Sequence, residues 1–155
     1  MEKEMDLKEQ VLTEYRGEVE KYLKYIPWLQ QKAGVQVSSI YGGDGIAAHS
    51  VSFPVYDGTL MNFVKEMSNS KFMDRNYPYV YAHHRIRTVE DEKRVIANVT
   101  IRDMDILKGI LSKYVLGGMT KGTVWSTAVT EGIFLDILLK MKEIVEFWDK
   151  PLEQR

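Results

Sequence analysis

Cysteine is absent from the 155-residue sequence, and histidine occurs only three times. Without cysteine the chain has no disulfide framework, no thiolate nucleophile and no thiolate metal site, which agrees with a reducing cytosolic setting. A zinc site built on His83 and His84 would need His49 or a distant carboxylate, because adjacent residues point in different directions on a helix and on a strand. We therefore predict no bound metal and no cofactor.

Long apolar runs are also missing. No uninterrupted run approaches the roughly 20 residues of a membrane-spanning helix. The first residues, MEKEMDLKEQ, are charged where a secretory signal peptide has its apolar core. The formal net charge is −1, which gives no general attraction to nucleic acid or to anionic membranes. These features predict a soluble cytoplasmic protein without a membrane partner.

Signatures of catalysis and phosphate binding are absent as well. The sequence has no G-x-S-x-G nucleophile elbow, and the glycine-containing stretch 41–45 lacks the Lys and Ser/Thr of a P-loop. Asp103 and Asp105 form a D-x-D pair, a spacing that binds divalent cations in some enzymes. Both lie in the first turn of a predicted helix, where helix capping explains them. We predict no catalytic residue.

The composition is that of a folded globular protein. Hydrophobic residues make up 45% of the chain and charged residues 28%, and we find no internal repeat or low-complexity segment. A chain of this length can bury roughly 70% of the surface that its unfolded form exposes. We predict a mostly α fold, a multi-helix bundle in one domain over residues 1–155, with residues 1–6 frayed.

The clearest pattern lies in the carboxy-terminal third. From Gly132 onward, apolar residues recur in steps of three and four, which predicts one face of a long helix. That face comprises Ile133, Phe134, Ile137, Leu138, Met141, Ile144, Val145 and Trp148. Leu135 and Leu139 widen the stripe, so we expect neighbours to contact this helix from two sides. Pro151 ends it, because proline disfavours helix in the preceding residue.

Two further helices are predicted upstream. Thr100 with Asp103 has the form of a helix N-cap, and we expect the glycine pair at 117–118 to end that helix in the left-handed conformation. Thr120 can cap a shorter helix that ends at Gly132. The predicted inner faces are Met104, Leu107, Ile110, Leu111, Tyr114 and Val115 in the first helix, and Val124, Trp125, Ala128 and Val129 in the second.

The amino-terminal part begins with a predicted amphipathic helix over residues 5–25, in which apolar side chains recur among alternating Glu and Lys. Pro27 either begins a short following helix or kinks one long helix, and Gly34 closes it in both cases. Residues 35–56 lose the periodicity, and we interpret them as an irregular loop. The loop allows one small β pairing, at an edge because Pro54 lacks the amide donor of a central strand.

The sequence pattern in the middle of the chain predicts three more helices or strands. Asp57 caps a helix that runs to about Ser68, with Leu60, Phe63, Val64 and Met67 turned inward. Residues 72–87 fit a strand and a helix equally well, and Pro78 at a helix start favours the helix. Thr88, followed by three acids, begins a short helix that buries Val95, Ile96 and Val99.

A resemblance is carried by KYLKYIPWLQ, FPVYDGTLMNFVKEM, KFMDRNYPYVY, ILSKYVLGGMTKGTVW and GIFLDILLKMKEIVEFWD. These stretches resemble segments of a family of small bacterial proteins known only as a domain of unknown function. The resemblance spans about residues 21–152. It implies a mostly helical, cytosolic single domain, and it carries over no activity, cofactor or catalytic residue.

One stretch, from Arg75 to Arg87, has a composition that favours ligand binding. It contains three Arg, three Tyr and two His and no carboxylate. Guanidinium groups interleaved with aromatic rings can hold a phosphate or stack on a base. Tyrosine packing and ion pairs with the acids at 90–92 explain the same residues without a ligand. The candidate ligand-binding residues are Arg75, Tyr77, Tyr81, His83, His84, Arg85 and Arg87.

The leading hypothesis is a non-enzymatic protein-protein interaction module, either a homo-oligomer or bound to an unidentified protein partner. We expect self-association first at the charged amino-terminal helix. One alternative is a small-molecule or phosphate-binding enzyme with a pocket around Arg75, Arg85 and Arg87. A second is a nucleic-acid-binding protein that uses residues 121–131 as a recognition helix. That segment has one Lys and ends in Glu131, which disfavours nucleic acid.

Overall fold

The computed structural model describes residues 13–34, 38–40, 54–56, 58–119, 121 and 123–149. The first part comprises helix α1 over residues 13–22, a 3₁₀ turn at Leu23–Tyr25, α2 at Ile26–Lys32, β1 at Ser38–Ile40 and β2 at Pro54–Tyr56. The rest comprises α3 at Gly58–Ser68, α4 at Tyr77–His83, α5 at Val89–Asn98, a 3₁₀ turn at Ile101–Asp103, α6 at Met104–Gly117, α7 at Val124–Thr130 and α8 at Ile133–Asp149. The mostly α fold is confirmed. No helix in the described ranges is long and apolar enough to cross a membrane.

Helix α8 forms the main wall of the core and packs against α2, α5, α6 and α7. The predicted inner face is buried from Ile133 to Val145, as its spacing requires. Leu135 is partly buried against the core, but Leu139 is 37% exposed, so the predicted widening of the stripe is wrong there. The side chain of Trp148 and the expected stop at Pro151 lie outside the described residues.

Within residues 72–87, helix α4 at Tyr77–His83 confirms the helix rather than the strand, and the flanking residues are turns or irregular. Pro78 lies in its first turn, where the missing amide hydrogen costs no helical bond. The helix packs on α6, with Val80 lying directly over Gly109. A Cβ atom added at Gly109 would lie 2.8 Å from Val80 Cγ1. Gly109 therefore allows α4 to approach α6 more closely than any other residue would.

The ends of α6 partly depart from prediction. Thr100 and Asp103 do form a capping box, but it caps the 3₁₀ turn that leads into α6. Gly118 has a φ of −70°, so the predicted left-handed conformation is wrong. Glycine is needed there for space, since an added Cβ would lie 2.1 Å from the indole nitrogen of Trp125. Thr120, predicted to cap α7, lies outside the described residues.

Left-handed glycines end other helices. Gly34 has a φ of 81° and follows α2, and Gly132 has a φ of 76° and separates α7 from α8. The amide of Gly34 donates to the carbonyl oxygen of Thr130 at 2.8 Å, which ties the end of α2 to the end of α7. Both glycines match the predicted ends of their helices. Asp57, the predicted cap of α3, lies outside the described residues.

The amino-terminal half adds an aromatic cluster to the core. α1 buries Tyr15, Val19 and Tyr22, and the 3₁₀ turn shows that Pro27 begins a separate helix. The ring centroids of Tyr25 and Phe63 lie 5.1 Å apart.

Strands β1 and β2 pair antiparallel, with Ile40 opposite Pro54, so the predicted small β pairing is present. Residues 1–12 and 41–53 lie outside the described residues.

Candidate functional site

The three arginines of the predicted site lie at the two ends of α4. Arg75 precedes the helix, Arg85 and Arg87 follow it, and all three are exposed. Neither of the two cavities described below is lined by any of them. Their positions at opposite ends of α4 do not support the single pocket of the enzyme hypothesis, which stays a prediction.

The acids of α5 do not pair with those arginine side chains. Asp91 accepts backbone amide hydrogens from Arg87 at 3.0 Å and Thr88 at 3.2 Å. Its second oxygen lies 3.2 Å from the guanidinium of Arg94. The bond from the Arg87 amide is the main cause that holds the pKa of Asp91 below its ordinary value. Asp91 therefore caps the start of α5 and does not neutralise the arginine side chains of residues 75–87.

Aromatic side chains form an exposed surface on α4. The ring of Tyr79 stacks on that of His83, with centroids 5.4 Å apart and planes at 18°. The ring of His84 meets His83 edge-on at 4.8 Å. Tyr79 is 59% exposed, yet the sequence prediction omits it. The signal that could have found it is the four-residue spacing between Tyr79 and His83, which places both on one side of a helix.

Tyr81 lies on the opposite side of α4, and Tyr77 is half-buried at the start of the helix. The Tyr81 hydroxyl donates to the carboxylate of Glu92, which is only 1% exposed. The Tyr114 hydroxyl donates to the other oxygen of the same carboxylate at 2.5 Å. Lys113 Nζ lies 3.1 Å from Glu92. We call these four side chains, Tyr81, Glu92, Lys113 and Tyr114, the Glu92 cluster.

The Glu92 cluster joins α4, α5 and α6 and was missed by the sequence analysis. Glu92 lies four residues before Ile96, on the buried side of α5, and this spacing is the signal that could have revealed it. Lys113 Nζ also lies 4.8 Å above the rings of both tyrosines. Burial, followed by hydrogen bonding to Glu92, raises the pKa of Tyr81 and Tyr114 well above the ordinary value. The tyrosines therefore remain protonated donors, which suits a packing role.

Stability should fall in alkali because of these tyrosines. Burial, together with a hydrogen bond to Glu66, also raises the pKa of Tyr25 to about 12. Above about pH 10 the unfolded chain loses tyrosine protons that the folded chain retains. Each such tyrosine then lowers the free energy of unfolding by about 1.4 kcal/mol per pH unit. The stabilisation is complete below pH 10, and the part due to Tyr25 is exhausted near pH 12.

Urea unfolding at several pH values between about pH 9 and about pH 11 measures this slope. Replacing Tyr114 with phenylalanine should make the alkaline decline shallower, because one proton difference between the two states is removed. An unchanged slope in that variant would contradict the assignment of Tyr114 to this effect.

Two grooves mark the described surface. The first, which we call the α8 groove, has a volume of about 470 Å³ and lies between α8 and the connection from α5 to α6. Its walls are mainly apolar and its rim is charged. The lining residues are Val99, Thr100, Ile101, Arg102, Lys140, Glu143, Ile144 and Phe147. A mainly apolar groove of this size can take a small molecule or a few side chains of a protein partner.

The second groove, of about 600 Å³, is polar and lies between α1 and α3. Lys21 lies 2.8 Å from Glu18, which is three residues earlier on the same helix. Across the groove, Lys24 lies 3.4 Å from Glu66. Glu66 also accepts the Tyr25 hydroxyl at 3.0 Å. The contacts of Glu66 with Lys24 and Tyr25 link the turn after α1 to α3, and the Tyr22 hydroxyl of α1 donates to the Glu66 carbonyl at 3.0 Å. The groove is therefore a solvent-exposed boundary between packed helices.

Two hydroxyl groups of the predicted recognition helix bond to its own backbone. Ser126 Oγ and Thr127 Oγ1 each donate to the carbonyl oxygen of Thr123 at 3.0 Å. Trp125 is buried, and its indole nitrogen donates to the Val115 carbonyl at 2.9 Å. Helix α7 is therefore a short helix that packs on α6. Its side chains do not support the helix-turn-helix alternative.

Comparisons with known proteins give no assignment. No family model, no curated protein and no solved structure matches the chain. The resemblance to a domain of unknown function therefore stays a prediction. Within the described residues, no group of three or more histidine, aspartate or glutamate side chains is arranged to hold a metal ion.

Proposed function

We propose that the protein is a non-enzymatic interaction module that acts as a homodimer, paired through the outer side of α8. Among the side chains of this helix that the structure describes, two large apolar ones are exposed, Leu139 at 37% and Phe147 at 42%. Phe147 also lines the α8 groove. Exposed apolar side chains beside an apolar groove are typical of protein-protein contact surfaces. This observation carries the proposal.

The spacing on α8 suits an antiparallel pair of identical helices. Leu139 and Phe147 lie four residues on either side of Glu143, so the three share one side of the helix. A two-fold axis at Glu143 brings each Leu139 against Phe147 of the second copy. Symmetry makes this contact twice, as in every isologous interface.

The charges on α8 match the same register. Lys140 and Glu146 lie three residues on either side of Glu143, so the axis places these two positions of opposite charge near each other across the pair. The Lys140 side chain is 15% exposed and also donates to the Ala97 carbonyl at 3.1 Å. Within one chain, Lys140 Nζ lies 3.2 Å from Glu143, and Lys142 Nζ lies 3.7 Å from Glu146. The lysines therefore offset the repulsion between the two Glu143 carboxylates at the axis. Charge complementarity of this kind selects register and partner.

Helix α1, where self-association was expected first, exposes less apolar surface than α8 does. Its apolar residues Tyr15, Val19 and Tyr22 are buried in the core of the same chain. The surface that remains is charged, with Lys21 already paired to Glu18. Exposed charged surfaces contribute little to the stability of an interface. These contacts favour α8 over α1 as the dimer surface.

The buried polar side chains support a module without catalysis. Glu92 is saturated by two tyrosines and a lysine. Ser112 Oγ donates to the Phe72 carbonyl at 3.3 Å and accepts the Asp74 amide at 2.8 Å. Glu92 and Ser112 therefore bond within the fold. Glu18, which is also buried, lines the polar groove between α1 and α3 and pairs there with Lys21. The cytosolic location and the bacterial origin implied by the resemblance stay predictions.

A change at Phe147 tests the proposal. Replacing it with glutamate should weaken the dimer by about 100-fold, because about 1.5 kcal/mol of apolar burial is lost at each of two symmetric contacts. Sedimentation equilibrium of the wild-type chain should give a mass that rises from 18.0 kDa towards twice that value.

Met61→Glu is the matched control. Met61 is 44% exposed on α3 and receives the same change of charge away from α8, so this variant should dimerise like the wild type. Equal dissociation constants for Phe147→Glu and Met61→Glu would reject α8 as the interface. Capture of a different protein through α8, with a monomeric wild-type chain, would replace the homodimer with a hetero-complex.

A further inference from the structure

The outer side of α4 carries an aromatic stack that the fold leaves uncovered. Tyr79 and His83 lie parallel, and the neighbouring residues on this side, Pro78 and Ala82, are exposed and small. His83 is also contacted edge-on by His84, whereas Tyr79 is 59% exposed, so its ring offers most of the open surface. A parallel pair of exposed rings is a platform on which a flat, aromatic ligand such as a nucleobase can stack.

Cationic groups surround this platform without acidic partners. Within the described residues, the side chains of Arg75, Arg85 and Arg87 make no hydrogen bond and no ion pair. No carboxylate occurs between Asp74 and Glu90. α4 is seven residues long, or about 10 Å at the rise of an α-helix, so guanidinium groups lie within reach of both ends of the stack.

Arg85 occupies a backbone position that favours glycine. It has a φ of 55°, and in the described ranges it is the only residue other than glycine with a positive φ. The Ile86 amide donates to the Tyr81 carbonyl at 2.9 Å, and the Arg85 amide donates to the Ala82 carbonyl at 3.3 Å. This is the Schellman pattern, in which the left-handed residue is usually glycine. An arginine there costs local stability, and such a cost points to a role outside folding.

We propose that this α4 face, comprising Arg75, Tyr79, His83, Arg85 and Arg87, binds single-stranded nucleic acid. The stacked rings would take a base, and the arginines would contact the phosphates on either side of it. The chain carries a net charge of −1, so attraction is confined to this face and binding is weak and local. A seven-residue helix with flat, exposed rings suits an unstacked strand better than a duplex groove.

The site does not depend on the proposed dimer. It lies on α4, which packs on α6, whereas the dimer surface lies on α8. Variants at Phe147 should leave binding to the isolated site unchanged, and variants at Tyr79 should leave the mass of the protein unchanged. The two proposals can therefore fail separately.

Fluorescence anisotropy of a labelled oligouridylate of about ten nucleotides, titrated with the full-length chain at low salt, tests the proposal. Tyr79→Ala should weaken binding about 5-fold or more, and Tyr79→Phe, which keeps a ring, should bind like the wild type. Arg85→Gly should weaken binding and reduce the slope of log K against log salt by about 0.7. The same variant should melt no lower than the wild type, because glycine relieves the positive φ.

Lys121→Ala is the control for loss of one exposed cation away from α4, and it should leave affinity and salt slope unchanged. The proposal is overturned if the wild-type chain gives no anisotropy change. It is also overturned if Tyr79→Ala and Arg85→Gly both bind like the wild type, or if a duplex of equal length binds as tightly. Loss of binding in Arg85→Gly but not in Tyr79→Ala, with full competition by inorganic phosphate, would indicate a plain anion site and reject the base-stacking site.

Discussion

Replacing Glu92 with alanine is expected to lower the free energy of unfolding by about 3–5 kcal/mol, the typical cost of breaking a buried charged network. The carboxylate is 1% exposed and accepts hydrogen bonds from Tyr81 and Tyr114. Without it, both hydroxyls lose their acceptor, and Lys113 loses the partner that holds it over the two rings. Chemical unfolding should show the loss, and the melting temperature should fall by about 10 °C.

Glu90→Ala is the matched control for this prediction. Glu90 lies two residues earlier in α5 and is exposed, so its replacement should change stability by no more than about 0.5 kcal/mol. Glu92→Gln, which keeps one oxygen acceptor, should fall between the two. If Glu92→Ala unfolds at the same denaturant concentration as Glu90→Ala, the Glu92 cluster contributes nothing to the packing of α4 and α5 on α6.

The second large effect is expected at Gly118. An added methyl group would lie 2.1 Å from Trp125 Nε1 and 2.2 Å from Cδ1, far inside contact distance. The indole must then move, and its 2.9 Å bond to the Val115 carbonyl breaks. Gly118→Ala should therefore cost about 3 kcal/mol, as overpacking with loss of a buried hydrogen bond does. Urea unfolding followed by tryptophan fluorescence would measure it.

Gly117→Ala provides the comparison one position earlier. The nearest atom to an added Cβ there is Val124 Cγ1 at 3.9 Å, which is ordinary van der Waals contact. Because alanine is the better helix former, this variant should match the wild type or exceed its stability by up to about 1 kcal/mol. Equal stability of the two alanine variants would contradict the claim that the Trp125 side chain requires glycine at position 118.

The features predicted well from the sequence depend on local periodicity. The inner faces of α6 and α8 follow from apolar spacing alone, because one helix side must be buried whatever packs against it. Thr88 and Thr100 cap their elements because capping involves residues only three positions apart. Helix α4 was ambiguous from its pattern, and Pro78 decided it correctly through backbone chemistry.

The features that were missed depend on contacts between distant parts of the chain. Gly118 looks like a helix terminator in sequence, and only the position of Trp125 reveals the steric reason for it. Glu92 looks like one acid among three near a helix start, and its burial depends on tyrosines from two other helices. The composition of residues 75–87 made them the predicted site, but periodicity could not show that Tyr81 faces inward while Tyr79 faces outward.

The absence of cysteine permits the most direct test of the proposed dimer. A single cysteine placed at the two-fold axis, in Glu143→Cys, has only its copy in the second chain to react with, and disulfides form only when the Cα atoms are within about 7 Å. Under mild oxidation this variant should convert fully to a covalent dimer, while Met61→Cys should remain largely a monomer. Equal and slow cross-linking of both variants would contradict the α8 interface.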